Sequence, residues 1–258
     1  MSTPAPEEGA LSPAEVERYA RHIVLREWGG VGQRRLKVSR VLIVGAGGLG
    51  SPVALYLAAA GVGHLRIADH DAVSLSNLQR QVLYGTPDVG RPKVDSAADA
   101  IGRANPHVSV EPIAARFETA NAAKLLEGVD CVVEGTDGFA ARQTIAEACE
   151  AARVPLVTAA VGRFEGSVTV LAPYKADADG RANPRFADLF PEAPPPGAVP
   201  SCAEAGVVGA LTGVIGTLQA MEALKLLTGV GTPLIGRLQT FDALDAEWRT
   251  IRYKRRNG

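Results

Sequence analysis

Arg40–Gly61 reads RVLIVGAGGLGSPVALYLAAAG. Val41 to Val44 is apolar and mostly β-branched with no alternation, the pattern of a strand buried on both faces of a parallel sheet. Four glycines follow at once, Gly45, Gly47, Gly48 and Gly50, spaced as GxGxxG. Ser51–Ala60 then reads as a small-residue helix that stops at Gly61. A glycine turn between strand and helix lets backbone approach phosphate, and the helix N-terminus offers unpaired N–H groups and a positive dipole. Asp69, closing HLRIAD at the end of the next strand, is placed to hold ribose hydroxyls. By itself this says nucleotide, with NAD the commonest occupant; the plainer alternative is a tight turn in an α/β sheet.

Outward from that turn the same alternation repeats. HLRIAD (64–69), HVSVEPIAA (107–115), VDCVVEGTD (129–137) and VPLVTAAV (154–161) read as strands. RPKVDSAADAIGRAN, ANAAKLLEG and AARQTIAEACEAAR between them read as helices. Strand–helix alternation of this kind predicts an α/β fold, a Rossmann-like doubly wound, mainly parallel sheet. EGSVTVLAP (165–173) follows without a crossover helix, and RLQTF and EWRTIRY near the end alternate, so an antiparallel edge is expected. On the N-terminal side, residues 1–11 read as a disordered tail. Residues 12–258 form one domain, with a long mobile loop over 174–201. Ser12-Pro13-Ala14-Glu15 has the cap, proline and acid of a helix start, and that helix is expected to run to about Leu25. Gly29, Gly30 and Gly32 are expected to break the next stretch. Arg252, Lys254, Arg255 and Arg256 read as a solvated basic terminus.

Composition closes several classes. With 47% hydrophobic and 21% charged residues the chain is no disordered polyelectrolyte. A net charge of −1 gives no global field for nucleic acid or an anionic membrane. Cys131, Cys149 and Cys202 form no close pair, which argues against a disulfide framework and against a CxxC zinc clamp. The acidic start MSTPAPEEGALSPAE has no apolar run to act as a secretory leader. The uncharged run between Glu204 and Glu222 is shorter than the roughly 20 residues of a membrane span. Its Gly206, Gly209, Gly213 and Gly216 point to a buried helix with close backbone packing. The expected setting is a reducing cytoplasm, with no membrane or nucleic-acid partner.

Two further segments move the expectation away from NAD. Asp69 to Gln81, DHDAVSLSNLQRQ, is dense in phosphate-capable groups, among them Asp71, Ser76, Asn77, Gln79 and Arg80, and Lys93 follows. Hydride transfer has little use for Arg and Lys there. Attack at the α-phosphate of ATP does, because charge builds on that phosphorus and on departing pyrophosphate. Asp137, just past the strand VDCVV, sits where such folds place ligand groups and is a natural Mg²⁺ ligand beside a triphosphate. Capping the helix that begins at Phe139 is its other reading.

Together RVLIVGAGGLGSPVALYLAAAGVG, VSLSNLQRQVLY, VGRPKV, GTDGFAAR, SCAEAGV and GVIGTLQAMEALKLL resemble the MoeB/ThiF/HesA group, bacterial relatives of ubiquitin-activating enzymes. The resemblance spans about Leu11 to Tyr253. It implies a homodimer that adenylates the C-terminal glycine of a small ubiquitin-fold sulfur carrier, MoaD-like or ThiS-like, using ATP and Mg²⁺. It implies that Gly48 approaches the nucleotide and that Asp69 holds the ribose, with Gly45, Gly47, Gly50 and Asp71 also expected in the cofactor-binding set. Ser76, Asn77, Gln79 and Arg80 would surround the phosphates, Lys93 would sit on the α-phosphate and Asp137 would hold Mg²⁺, with Leu78 and Gly138 also expected in the cofactor-binding set. Arg21 in RYARH resembles an arginine that reaches the partner subunit's triphosphate. Cys202 matches a cysteine that some members use in sulfur transfer.

Two departures stand out. The two CxxC pairs that hold zinc in many members are missing, so no zinc is expected, and Gly138 replaces the family's Asn. No rhodanese-like segment is seen, so a separate sulfur donor is expected. The mobile loop 174–201 is expected to receive the carrier's tail. A tRNA-modifying adenylating enzyme of the same superfamily, an NAD-dependent oxidoreductase and a binding module without activity remain as rivals.

Overall fold

The computed structural model describes residues 9–177, 179–192 and 206–256. Nine helices and eight strands are described: α1 Pro13–Arg18, α2 Ala20–Ile23, α3 Gly29–Val38, β1 Arg40–Val44, α4 Gly50–Ala60, β2 His64–Ala68, α5 Lys93–Ala104, β3 Ser109–Ile113, α6 Thr119–Leu126, β4 Cys131–Glu134, α7 Phe139–Ala152, β5 Leu156–Gly162, β6 Glu165–Leu171, α8 Phe186–Leu189, α9 Gly209–Thr228, β7 Arg237–Asp242 and β8 Glu247–Arg252. The strands form one sheet in the order β3-β2-β1-β4-β5-β6-β7-β8. β1 to β5 are parallel, and β6, β7 and β8 extend the sheet antiparallel, as the sequence led us to expect.

The unalternating apolar strands are explained by two cores. Val41 and Ile43 face α3, α4, α5 and α9, while Leu42 and Val44 face α6 and α7. β1 and β4 lie side by side, with Val44 in register with Glu134, and their crossovers leave on opposite faces. That reversal opens a crevice at the carboxyl ends of β1 and β4.

α9 is 20 residues long and apolar enough by composition to cross a membrane, but half of its most apolar window is buried against the rest of the chain. A Cβ on Gly209 would fall 2.1 Å from the Gln79 carbonyl oxygen, and one on Gly216 would fall 2.5 Å from Pro52 Cγ. Gly213 has no such neighbour, and Gly206 takes the left-handed φ of +76° outside the helix. Close packing therefore uses two of the four glycines.

Three expectations are corrected. The first helix does not run unbroken to Leu25. The Ser12–Glu15 capping box forms, but Tyr19 leaves helical geometry at φ −99°, ψ 12°, and separates α1 from α2. Nor do the glycines break the next stretch: α3 begins at Gly29 and runs through Gly30 and Gly32. The Trp28 indole lies 3.1 Å from where a Gly32 Cβ would be, so the ring packs closely over a residue without a side chain. Lastly, the basic terminus is not simply solvated. Arg255 Nη1 donates to the carbonyls of Pro173 and Asn183, and the Arg256 N–H donates to Asp188. These bonds tie the chain end to residues 173–188. The described part of the 174–201 segment contains α8; its Phe186, and Phe190 just past it, pack on Phe139, and residue 178 and residues 193–201 lie outside the described residues.

Candidate active site

The glycine turn divides its labour. Gly45 takes φ +89°, and a Cβ there would meet the Gly135 carbonyl oxygen at 3.0 Å; one on Gly50 would collide with the Gly45 carbonyl. These two glycines bring the β1–α4 turn against the end of β4. Gly47 and Gly48 line the crevice, Gly48 against Thr212 and Arg80. The N–H groups of Gly47, Gly48 and Leu49 have no acceptor among the described residues, and they open the N-terminus of α4. Such a row is an anion cradle. Two buried side-chain oxygens beside it, Ser51 Oγ and Gln81 Oε1, also lack a partner. Orphaned polar atoms in a native interior call for a ligand or water, so the turn fits a nucleotide.

Asp69 is buried at the end of β2. Its carboxylate accepts from the Ala46 N–H at 2.7 Å and the Asp71 N–H at 2.8 Å. Tyr84 donates its hydroxyl to the Ala46 carbonyl at 2.8 Å, and burial pushes that phenol upward. Both polar groups of Ala46 are thus held, which fixes the turn. Lys93 opens α5 with a buried ammonium, 2.8 Å from Asp71 and 3.9 Å from Asp69. The hydrogen bond from Lys93 holds the Asp71 carboxyl below its usual range despite partial burial.

Leu75–Asn77 is a single 3₁₀ turn, and the segment through Gln81 crosses the start of α9. The Thr212 hydroxyl donates to the Gly209 carbonyl at 2.7 Å, and it lies 3.4 Å from the Arg80 carbonyl. Ser76 and Gln79 are exposed, and Asn77 and Arg80 are half-buried; among the described residues Arg80 Nη1 reaches only the Ser76 carbonyl. Leu78 is different, since its side chain packs against the core and only its backbone is left for a ligand.

Asp137 stands past the end of β4, exposed and without a hydrogen-bond or ionic partner among the described residues. It does not cap α7; Gly138 occupies the N-cap and no side chain bonds there. A free carboxylate at the mouth of the crevice suits a hard divalent cation.

Arg21, on α2, is exposed and has no ionic partner among the described residues: Glu15 is taken by Lys37. The helices around it dock at the C-terminal end of α4, away from the glycine turn. Gln33 Nε2 donates to the Ala60 carbonyl, and Asn105 Nδ2 donates both to Tyr19 and to the Ala58 carbonyl, each at 2.7–2.8 Å. Cys202 lies outside the described residues. Cys131 and Cys149 are buried free thiols pushed up by burial, Cys149 to about 12, and so are inert as nucleophiles.

The structure therefore gathers Gly47, Gly48, Asp69, Asp71, Arg80, Lys93 and Asp137 around one crevice and leaves Arg21 at the far end of α4. Sequence reasoning missed Tyr84, Gln81 and Ser51, and it missed Glu134, a buried carboxylate two residues before Thr136. Tyr84 and Gln81 sit inside SNLQRQVLY, but nothing in their spacing marks them.

The ThiF family profile matches residues 19–258. The chain is 47% identical over 242 residues to the probable adenylyltransferase/sulfurtransferase MoeZ of Mycobacterium tuberculosis; the match covers 94% of this chain and 61% of that protein's length. It is 46% identical to the sulfur carrier protein adenylyltransferase of Thermus thermophilus, covering 93% of this chain and 88% of the relative. With the molybdopterin-synthase adenylyltransferase of Escherichia coli it shares 46% identity, covering 96% of each. Among solved structures, PaaA aligns with a TM-score of 0.80 at 28% identity, over 98% of this chain and 78% of the other. The chain belongs to the ThiF family.

Proposed function

We propose that this protein is an ATP-dependent adenylyltransferase. Its substrate is the C-terminal glycine carboxylate of a small ubiquitin-fold sulfur carrier of the MoaD or ThiS kind. The observation that carries this is the convergence on one crevice of unpaired N–H groups, a buried ammonium and a partnerless carboxylate. The adenylyltransferase names of relatives at 46% identity, one of them a sulfur carrier protein adenylyltransferase, support the same reaction.

The carrier's carboxylate attacks the α-phosphorus. A new O–P bond forms, the bond to the bridging oxygen breaks, and pyrophosphate leaves. No general base is needed, because the attacking carboxylate is already ionised. Catalysis is then positioning plus charge neutralisation. The N–H groups of Gly47, Gly48 and Leu49 bind phosphate oxygens, Asp69 holds the ribose, and Lys93 and Arg80 offset charge on the α-phosphate and the leaving group. Asp137 would hold Mg²⁺, which when bound would draw charge from the triphosphate.

A homodimer completes the site. Tyr56 on α4 and Val214 and Met221 on α9 are exposed apolar side chains on packed neighbouring helices, and Val24 and Leu25 are exposed beside Arg21. A second subunit covering such surface would bring its Arg21 to the triphosphate. The protein works without zinc, in the cytoplasm.

Calorimetric titration with ATP and NAD in parallel, followed by ATP–pyrophosphate exchange with a panel of MoaD-like and ThiS-like carriers, tests the proposal. ATP binds, NAD does not, and exchange requires a carrier ending in glycine. NAD binding in place of ATP, or exchange indifferent to that glycine, contradicts it.

A further inference from the structure

Glu134 ends β4 with a side chain that is completely buried. Its two carboxylate oxygens take four hydrogen bonds. One oxygen accepts from the Thr136 N–H at 2.7 Å and from the Thr136 hydroxyl. The other accepts from the Thr158 hydroxyl on β5 at 2.7 Å and from Arg142 Nε on α7 at 3.3 Å. Arg142 also turns Nη2 to the Thr136 carbonyl at 3.3 Å, and Gln219 of α9 donates to the Glu134 carbonyl at 2.7 Å. With each oxygen already accepting two donors, Glu134 has no lone pair left for a metal.

The consequence falls on the next residues. The Thr136 N–H belongs to the peptide plane before Thr136, and its carbonyl belongs to the plane after it. Both are tied, so the two planes leading to Asp137 are fixed. Gly135 and Gly138 on either side have no side chain to restrain them, so the loop is held by these bonds together with those of the Gly135 N–H to the Val44 carbonyl and of the Arg142 N–H to the Gly138 carbonyl. Asp137 projects from this held loop with nothing among the described residues to orient its carboxylate.

We propose that Glu134 is a positioning residue, whose saturated carboxylate, with Arg142 and Thr158, sets the loop so that Asp137 meets the metal-bound nucleotide. The inference rests on Asp137 holding Mg²⁺, as proposed above. Outer groups that orient a metal ligand typically contribute about 10–100-fold in metal affinity. An amide at position 134 turns its N–H₂ against either the Thr136 N–H or Arg142, neither of which can accept, so Glu134→Gln loosens the loop.

The test is calorimetric titration of ATP, once in EDTA and once in Mg²⁺, on wild type, Glu134→Gln, Asp137→Asn and the double variant. Glu134→Gln binds ATP in EDTA as wild type does and loses about 10–100-fold of the tightening that Mg²⁺ gives. Asp137→Asn loses that tightening, and the double variant is no weaker than Asp137→Asn alone. Unchanged Mg²⁺ dependence in Glu134→Gln, or a loss that adds to that of Asp137→Asn, overturns the role. If instead Asp137→Asn itself keeps the tightening, the failure lies with the metal assignment. Should Glu134→Gln not fold, Thr158→Val takes its place in the cycle. It removes one donor at constant shape; a smaller shift of the same sign supports the role, and no shift overturns it.

Discussion

Arg21→Ala is the perturbation that separates a site built within one chain from a site built across two. Arg21 is exposed on α2, and α2 is anchored through Tyr19 and Asn105 to the C-terminal end of α4. The glycine turn lies at the other end of that helix. Eleven helical residues rise about 16 Å, more than an arginine side chain can span, so Arg21 does not reach the triphosphate cradle of its own chain. Supplied by a second subunit, it adds charge beside the phosphates, and arginines delivered in this way are worth about 10³ or more in rate. Arg21→Ala and Asp137→Ala should each be nearly inactive alone. Co-expression with two different tags and tandem purification isolates the mixed dimer. One of its sites then lacks both groups and the other is complete, so exchange returns to about half of the wild-type rate per dimer. If Arg21 serves its own chain, each site lacks one group. A purified mixed dimer that stays at background refutes the trans assignment.

Lys93→Met should lower pyrophosphate exchange by about 10²–10³-fold, the usual cost of one charge-stabilising donor, while the fold persists because Asp71 is half-exposed and rehydrates. A rate within a few-fold of wild type would show that the ammonium serves only the Asp71 pair. Purified protein should contain no stoichiometric zinc; one zinc per chain by elemental analysis would sink this. Burial alone would raise the Glu15 carboxyl, but hydrogen bonds from Lys37 and Ser12 hold it below the ordinary 4.5. A depressed carboxyl contributes stability in full above the unfolded value and loses it as pH falls through the folded one. The denaturation gap between wild type and Glu15→Gln should therefore be constant above about pH 5 and close in acid; a gap that does not change with pH would contradict this.

Much of the fold was legible because one period dominated. Val41–Val44 could only be a doubly buried strand, and the glycines after it could only be a turn tight enough to meet Gly135. The N-terminal 30 residues were less legible. Glycines usually end helices, yet the fit of Trp28 over Gly32 is a contact that propensity does not encode. The site split the same way. Asp69 and Asp137 announce themselves by charge at strand ends, and Lys93 by following the polar segment 69–81. Glu134 does not, because its meaning comes from Thr136, Arg142, Thr158 and Gln219, which lie on four other segments and meet only in the folded chain. Arg255 and Arg256 looked like a solvated terminus for the same reason, since their acceptors lie 68–82 residues away.

The chemistry proposed is cleavage of ATP at the α-phosphate by the carrier's own carboxylate. Its most direct test is the intact mass of the carrier after a short incubation with ATP, Mg²⁺ and this protein, wild type or Asp137→Ala. Wild type should yield carrier bearing AMP on its terminal glycine with pyrophosphate released in equal amount, and Asp137→Ala should leave the carrier unmodified. Unmodified carrier with wild type, accompanied by ADP and inorganic phosphate, would contradict the account.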